Sequence, residues 1–315
     1  MPDKLKISIV IPVGPGRNVE IVDSLKNGNF PQKDYEIIIE EGLNPSLNRN
    51  RGIKKAKSDI IAILDDDAYA HIDLLKNAHD FFAKYKDIDI VGGPQLSPKG
   101  ENFFARVSGY AITSFFGAYT MSYRYNKGKL NLDADEKMLT SANMFLRKKV
   151  FNSIDGFDSR LYPGEDPEFL IRAKKNGMKI AYNPDLIIYH KRRSTIKSFL
   201  VQFYKYGKVR PITSKIIGQS ISPLFYIPTI FLAYLIFVLP FSFLYGYLAY
   251  PVLLYIVLCI LFSFIDTVKN NSIVSFFILP FLYPMIHISY GVGLVAGLFA
   301  RNKIIEQQKK EIIYS

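Results

Sequence analysis

Three adjacent carboxylates, Asp65-Asp66-Asp67, follow directly on the apolar run Ile60-Ile61-Ala62-Ile63-Leu64. Carboxylates placed side by side repel one another, so a chain that keeps them together has a use for the charge. Hard divalent cations such as Mg2+ and Mn2+ take oxygen ligands, and one or two carboxylates plus substrate phosphates complete the shell. The apolar run reads as a strand, and the carboxyl end of a strand in an open α/β sheet is where ligands bind. The alternative is a solvated acidic turn, or the cap of a helix starting near His71.

Two further constellations carry chemistry. Asn48-Arg49-Asn50-Arg51-Gly52 opens the helix expected ahead of the acidic strand. A helix N-terminus with arginine nearby is an anion site; the competing reading is a helix cap with solvated arginines. Pro163-Gly164-Glu165-Asp166 puts a carboxylate pair on a turn at another helix start. Such a carboxylate either caps the helix or, ionised, takes a proton from an acceptor hydroxyl as general base. Together these parts make a two-substrate site: a metal neutralises a diphosphate leaving group, cations help to bind it, and a distant carboxylate activates a nucleophile. That logic fits group transfer from a nucleotide-activated donor.

The elements that must position these groups follow from the apolar pattern. Ile7–Ile11, Tyr35–Ile39, Ile60–Leu64 and Ile88–Val91 read as strands, and their near-continuous Ile/Val content indicates burial on both faces, as in parallel sheets. Val19–Lys26, Leu47–Lys57 and Ile72–Lys86 read as the intervening helices, which gives a doubly wound α/β pattern. From Glu101 to Lys137 aromatics and glycines mix without a clean period, consistent with a mobile or acceptor-facing segment. Ser141–Leu146 reads as a strand, Asp166–Asn176 as a helix closed by Gly177, and Leu186–Tyr189 as a strand ending at His190.

The 315 residues carry a formal net charge of +12, spread unevenly. From Ile221 to Ala300 the only charged side chains are Asp266 and Lys269. Leu224–Leu244 and Tyr247–Ile265 are each long enough to cross a hydrocarbon core, which takes about 20 helical residues. Ile273–Ala300 is longer and interrupted by Pro280 and Pro284, as one tilted span or two re-entrant halves. Before them, Ser194–Lys215 interleaves Lys197, Lys205, Lys208, Arg210 and Lys215 with aromatics, which suits a helix on an anionic membrane surface rather than nucleic acid binding. The basic side before Leu224 is expected in the cytoplasm. So is the tail with Arg301, Lys303, Lys309 and Lys310, which implies an even number of crossings and conflicts with three simple spans. Cys259 is the single cysteine, which excludes an internal disulfide and a Cys-based zinc site. The run Ile7–Val13 is short, contains Pro12 and leads into Gly14-Pro15-Gly16, so it reads as a strand and not a signal peptide.

One further feature is the order of the motifs. Ser46-Leu47-Asn48-Arg49-Asn50-Arg51-Gly52-Ile53 leads through Asp59 to Leu64-Asp65-Asp66-Asp67. Ser141-Ala142-Asn143 to Arg147 follows, then Asp155-Gly156-Phe157-Asp158, Gly164-Glu165-Asp166, and Pro184 to His190. This ordered set, across Lys6 to Arg193, resembles the family 2 glycosyltransferases, and the basic-aromatic and apolar parts resemble its integral-membrane branch. The resemblance implies an α/β fold of the GT-A (Rossmann-like) nucleotide-sugar-binding type, followed by a C-terminal α-helical transmembrane region. The expected boundaries are 1–193 for the catalytic domain, 194–221 for a basic juxtamembrane segment, 222–300 for membrane helices and 301–315 for a basic tail.

The same resemblance implies an inverting, multi-pass membrane enzyme with its catalytic domain in the cytoplasm, working in polysaccharide or glycolipid biosynthesis. It would move one sugar from a nucleotide-diphospho-sugar to a lipid-linked or surface-glycan acceptor, with Mn2+ or Mg2+. Asp65 and Asp67 match the D-x-D motif: Asp67 would hold the metal, Asp65 would lie near ribose and metal, and Asp66 is the variable middle position on the nucleotide-sugar side. Asp166 would be the catalytic base, with Glu165 shaping the acceptor site. Pro12 and Glu41 would line the nucleotide pocket, and Arg49, with Asn50, would hold the nucleotide-diphosphate. His190 is either a metal ligand or a capping or surface histidine. Two departures stand out. Glu40-Glu41-Gly42-Leu43 replaces the family's Asp-Asp-Gly-Ser, and Gln202-Phe203-Tyr204-Lys205-Tyr206 is a degenerate form of the QxxRW of processive synthases, so transfer of a single sugar is expected. A nucleotidyltransferase, or a scaffold with a degenerate domain, are the competing functions.

Overall fold

The computed structural model describes residues 5–162, 164–218 and 220–300; Pro163 and the basic tail at 301–315 lie outside them. In chain order the elements are β1 (Ile7–Val13), α1 (Ile21–Lys26), β2 (Tyr35–Glu41), α2 (Pro45–Lys55), β3 (Ile60–Leu64), β4 (Ala68–Ala70), α3 (Leu74–Lys84), β5 (Ile90–Gly92) and β6 (Gln95–Leu96). Then come α4 (Phe103–Thr113), α5 (Phe115–Ala118), β7 (Asn143–Arg147), α6 (Lys148–Ser153), α7 (Glu165–Lys175), β8 (Ile180–Tyr182) and β9 (Ile188–His190). The last four helices are α8 (Ile196–Ile217), α9 (Ile227–Phe237), α10 (Tyr250–Asn270) and α11 (Ser275–Leu298). The chain divides into two compact units: Met1–Lys99 with Tyr123–Lys191, and Gly100–Ser122 with Arg192–Ser315.

The first unit is built on a six-stranded sheet of order β2-β1-β3-β7-β5-β8. Pairing is parallel in β1·β2, β1·β3 and β5·β8. It is antiparallel where β7 lies between β3 and β5, so the sheet is mixed rather than wholly parallel. A continuous apolar run reports burial on both faces, and an antiparallel strand covered on both faces gives the same run. Side chains alternate between two cores. Ile7, Ile9, Ile11, Ala62 and Leu64 enter one; Val10, Ile61 and Ile63 enter the other. Each fully buried Ile or Leu contributes about 1.5–3 kcal/mol, which makes the ends of β1 and β3 rigid places for a site. A second, three-stranded sheet of order β4-β9-β6 sets Ala68 opposite His190.

The second unit gathers α4, α5 and α8 to α11. The aperiodic stretch after Glu101 contains α4 and α5, with Phe116 stacked on Phe262 at 4.9 Å and its carbonyl accepting from His287 at 2.9 Å. α8 is a single helix through Pro211. It packs along α11 at glycines: a Cβ at Gly207 would come within 2.1 Å of the Tyr290 carbonyl oxygen, and one at Gly293 within 2.1 Å of that of Tyr204. Close backbone approach at small residues is how helices associate where water does not drive them together.

The apolar segments differ from their sequence reading in one place and resolve an alternative in another. Leu224–Leu244 is not one span: α9 has 11 residues, and beyond it the Tyr234 hydroxyl donates to the Leu248 carbonyl at 2.5 Å, which folds the chain back. Pro240 lies at the break, where its missing N–H and ring interrupt a helix. Ser275–Leu298, in contrast, is one continuous helix with Pro280 and Pro284 inside it. Among the described residues, two helices, Gly246–Asn270 and Ser275–Leu298, are long and apolar enough to cross a membrane.

Candidate active site

The acidic triplet lies between β3 and β4. β4 intervenes before α3, whose N-cap is Asp73, so the triplet is no helix cap. Two backbone bonds fix it: Asp65 N–H donates to the Ala142 carbonyl at 3.4 Å, and Glu20 N–H to the Asp66 carbonyl at 2.8 Å. The β4·β9 register brings His190 to the same place, with Nε2 3.0 Å from Asp67 Oδ1. Asp65, Asp67 and His190 each offer one ligand atom, and those atoms lie within 4.8 Å of one another. Two carboxylate oxygens and an imidazole nitrogen, all partly accessible, suit Mn2+ or Mg2+.

Arg49 joins this cluster to the carboxylates of α7. Its Nη1 is 2.8 Å from Glu165 Oε1, its Nη2 is 3.5 Å from Asp65 Oδ1, and its guanidinium lies 5.6 Å from the centre of the Phe157 ring. The helix carrying it starts earlier than its sequence suggests. Asn44 caps α2 by accepting from Leu47 N–H at 3.2 Å, with Pro45 in the first turn, so Arg49 is buried one turn inside the helix. Gly52 permits this placement, because a Cβ there would meet Val10 Cγ1 at 2.4 Å. At α7 the N-cap is Gly164, at a φ of 119° that favours glycine. Glu165 and Asp166 follow in the first turn. Asp166 Oδ1 is buried with no hydrogen-bond partner among the described residues.

The charges are strongly shifted. Burial, reinforced by Asp166 and opposed by Arg49, pushes the Glu165 carboxyl up. Burial likewise raises Asp65 against the pull of Arg49 and His190, and it brings Asp66 to about 6 against the pull of Arg17. Burial works against the charge on Asp67 too, but the hydrogen bond to His190 and the guanidinium of Arg17 hold that carboxyl well below the usual range. Clefts that combine desolvation with specific charge partners are where function concentrates.

The remaining expected site residues divide. Pro12 pairs with Glu40 in the β1·β2 ladder, and Glu41 Oε1 accepts from Gly16 N–H at 3.3 Å, so both stand at the carboxyl ends of β1 and the edge strand β2. Asn50 is not brought to the cluster: its side chain donates to the Phe157 carbonyl at 2.8 Å and accepts from Phe157 N–H at 2.8 Å. One residue was not singled out from the sequence. Arg17, on the glycine turn after β1, lies with Nε 3.1 Å from Asp66 Oδ2 and Nη2 3.0 Å from Asp67 Oδ2. The available signal was its position after Gly14-Pro15-Gly16, at the same sheet edge as the triplet.

The acidic triplet thus stands at the carboxyl end of β3, and β9 of the smaller sheet brings His190 beside it. The model of glycosyl transferase family group 2 matches residues 60–268, more than half the chain, and the chain belongs to that family of glycosyltransferases. The Methanococcus voltae dolichyl N-acetyl-alpha-D-glucosaminyl phosphate 3-beta-D-2,3-diacetamido-2,3-dideoxy-beta-D-glucuronosyltransferase is 24% identical over 94% of this chain and 98% of its own. The poly(ribitol-phosphate) beta-glucosyltransferase of Bacillus spizizenii is 25% identical over 59% of this chain, which spans about a third (32%) of that relative's length. A Pyrobaculum calidifontis mannosyltransferase, solved with GDP-Man and Mn2+, superposes with a TM-score of 0.56 at 12% identity, covering 95% of this chain and 88% of that one. Its likeness shows that the fold is of the GT-A type.

Proposed function

We propose that this glycosyltransferase moves one sugar, with inversion, from a nucleotide-diphospho-sugar to a hydroxyl of a lipid-linked or surface-glycan acceptor. The observation that carries the reading is the pairing of two carboxylate groups through Arg49: the Asp65–Asp67–His190 cluster on one side and Glu165–Asp166 on the other. A divalent cation held by Asp65, Asp67 and His190 would supply the charge that stabilises the departing diphosphate. Asp166 takes the proton of the acceptor hydroxyl as its oxygen attacks the anomeric carbon. The bond from that carbon to the diphosphate oxygen breaks, and the nucleoside diphosphate leaves. Attack from the face opposite the leaving group inverts the centre. The unpartnered Asp166 Oδ1 supports this role, since a base needs a free lone pair. Glu165, clamped by Arg49, shapes the acceptor side, and Pro12 and Glu41 line the nucleotide pocket beside β1 and β2.

The lipid-linked acceptor rests on the Methanococcus voltae relative, whose name specifies a dolichyl-linked sugar phosphate. It also rests on α10, whose Leu253, Leu254, Val257, Ile260, Leu261, Phe264 and Val268 are all exposed. Patches of that size mark membrane or partner contact. We place α10 and α11 in the bilayer and the catalytic unit on its cytoplasmic side, where the basic residues of α8 meet anionic lipid. Product analysis with labelled donor tests the transfer. Release of a nucleoside diphosphate together with a glycosylated lipid is expected; release of pyrophosphate would point to nucleotidyl transfer instead.

A further inference from the structure

Arg17 is held by the acidic triplet in a way that bears on how the site loads. It stands on a tight turn, with its N–H donating to the Gly14 carbonyl at 3.1 Å and Gly16 at a φ of 70°. The turn is tied at both sides: Gly16 N–H donates to Glu41 Oε1 at 3.3 Å, and Glu20 N–H to the Asp66 carbonyl at 2.8 Å. From this base the guanidinium reaches Asp66 Oδ2 at 3.1 Å and Asp67 Oδ2 at 3.0 Å. The other oxygen of Asp67 meets His190 Nε2 at 3.0 Å, so both oxygens of this carboxylate are engaged.

A divalent cation on Asp65, Asp67 and His190 would bring two more positive charges beside the guanidinium. An arginine does not shed its proton, so it yields only by moving. Arg17 is able to move: its side chain is 53% exposed, while Asp66 beneath it is 5% exposed. The pair with Asp67, whose side chain is 40% exposed, is of the exposed kind that holds weakly. A diphosphate offers the guanidinium fork a bidentate partner of the same charge as the one it leaves.

We propose that Arg17 is a placeholder, holding Asp66 and Asp67 in the donor-free enzyme and transferring to the donor's diphosphate when cation and donor bind together. The inference rests on the cation reading above and adds the order of events. Cation alone binds weakly because it must displace Arg17; donor gives Arg17 a new partner, so each ligand strengthens the other. Asp66, which is no ligand in the cluster, is then the anchor that parks Arg17.

The test is Mn2+ binding to the full-length protein in detergent, by electron paramagnetic resonance, without donor and then with UDP or GDP. Arg17→Gln is expected to bind Mn2+ alone at least tenfold more tightly than the wild type. It is expected to bind nucleoside diphosphate in the presence of Mn2+ at least tenfold more weakly. Arg17→Lys, which keeps the charge and loses the fork, is expected to bind Mn2+ alone as the wild type does and to share the weak diphosphate binding. Equal Mn2+ affinity in wild type and Arg17→Gln overturns the placeholder while leaving the cation site standing. Tighter Mn2+ with unchanged diphosphate affinity overturns the transfer to the donor. Absence of Mn2+ binding in every protein, with and without nucleotide, overturns the cation reading and this inference with it.

Discussion

At the scale of single residues, the proposed function gives the two carboxylate groups separable duties. Replacing Asp166 by Asn removes the proposed base and leaves the cluster at β3 intact. Transfer is expected to fall by about 100- to 10,000-fold while Mn2+-dependent donor binding, followed by calorimetry, persists. Replacing Asp67 by Asn removes a proposed ligand and the hydrogen bond to His190, so donor binding is expected to lose its dependence on Mn2+; unchanged turnover there would contradict the cation role. The residues that could be read from the chain are those whose chemistry is local. Asp65, Asp67 and Asp166 advertise themselves by adjacency and by their place after a strand or before a helix. His190 was ambiguous because only the β4·β9 register sets it beside Asp67, and a pairing between strands of three residues each leaves little trace in sequence. Arg17 was missed for the same reason, since its partners lie about 50 residues away.

At the scale of elements, the site is held by ties between secondary structures. Arg49 on α2 and Glu165 on α7 form an ion pair at 2.8 Å with both side chains buried. Removing one partner of a buried pair strands the other, at a cost of about 3 kcal/mol or more. Arg49→Met is therefore expected to lower the melting temperature as well as activity, whereas Glu165→Gln, which keeps a hydrogen-bond acceptor, is expected to cost less; equal melting temperatures for wild type and Arg49→Met would contradict the tie. The contact of α8 with α11 depends likewise on Gly293, where any side chain collides with the Tyr204 backbone. Gly293→Val is expected to destabilise the helical unit in a detergent melting assay while the soluble face of the catalytic unit still binds nucleotide. The strands at β1 and β3 were legible because both are continuous apolar runs. The antiparallel insertion of β7 was not, because burial on two faces looks the same in either direction. The break after α9 was obscured by composition: Leu224–Leu244 is apolar throughout, and only the return of Leu248 to Tyr234 shows that it does not run straight.

At the scale of the whole molecule, the helical unit is not simply appended to the catalytic one. Gly100–Ser122 belongs to it, although the segment is inserted within the catalytic half of the chain. Its Phe116 stacks on Phe262 and packs against Tyr283. A protein cut before Leu224 keeps that segment and α8 but loses α10 and α11, so it is expected to aggregate when expressed. Recovery of a monodisperse, donor-binding truncation would contradict the joint packing. Composition announced the apolar region plainly, with two charges in eighty residues. The division of the chain was hidden, because a mixed run of aromatics and glycines carries no period to assign.

Metal-assisted transfer from a nucleotide sugar is the proposal on which all three scales converge. The most direct measurement is binding and turnover of the purified full-length protein with a panel of UDP-, GDP- and dTDP-sugars, with and without Mn2+. Mn2+-dependent binding of one donor is expected, with slow release of its nucleoside diphosphate; in Asp166→Asn the binding persists and the release falls steeply. Donor binding and turnover of equal strength with Mn2+ and with a chelator would contradict it.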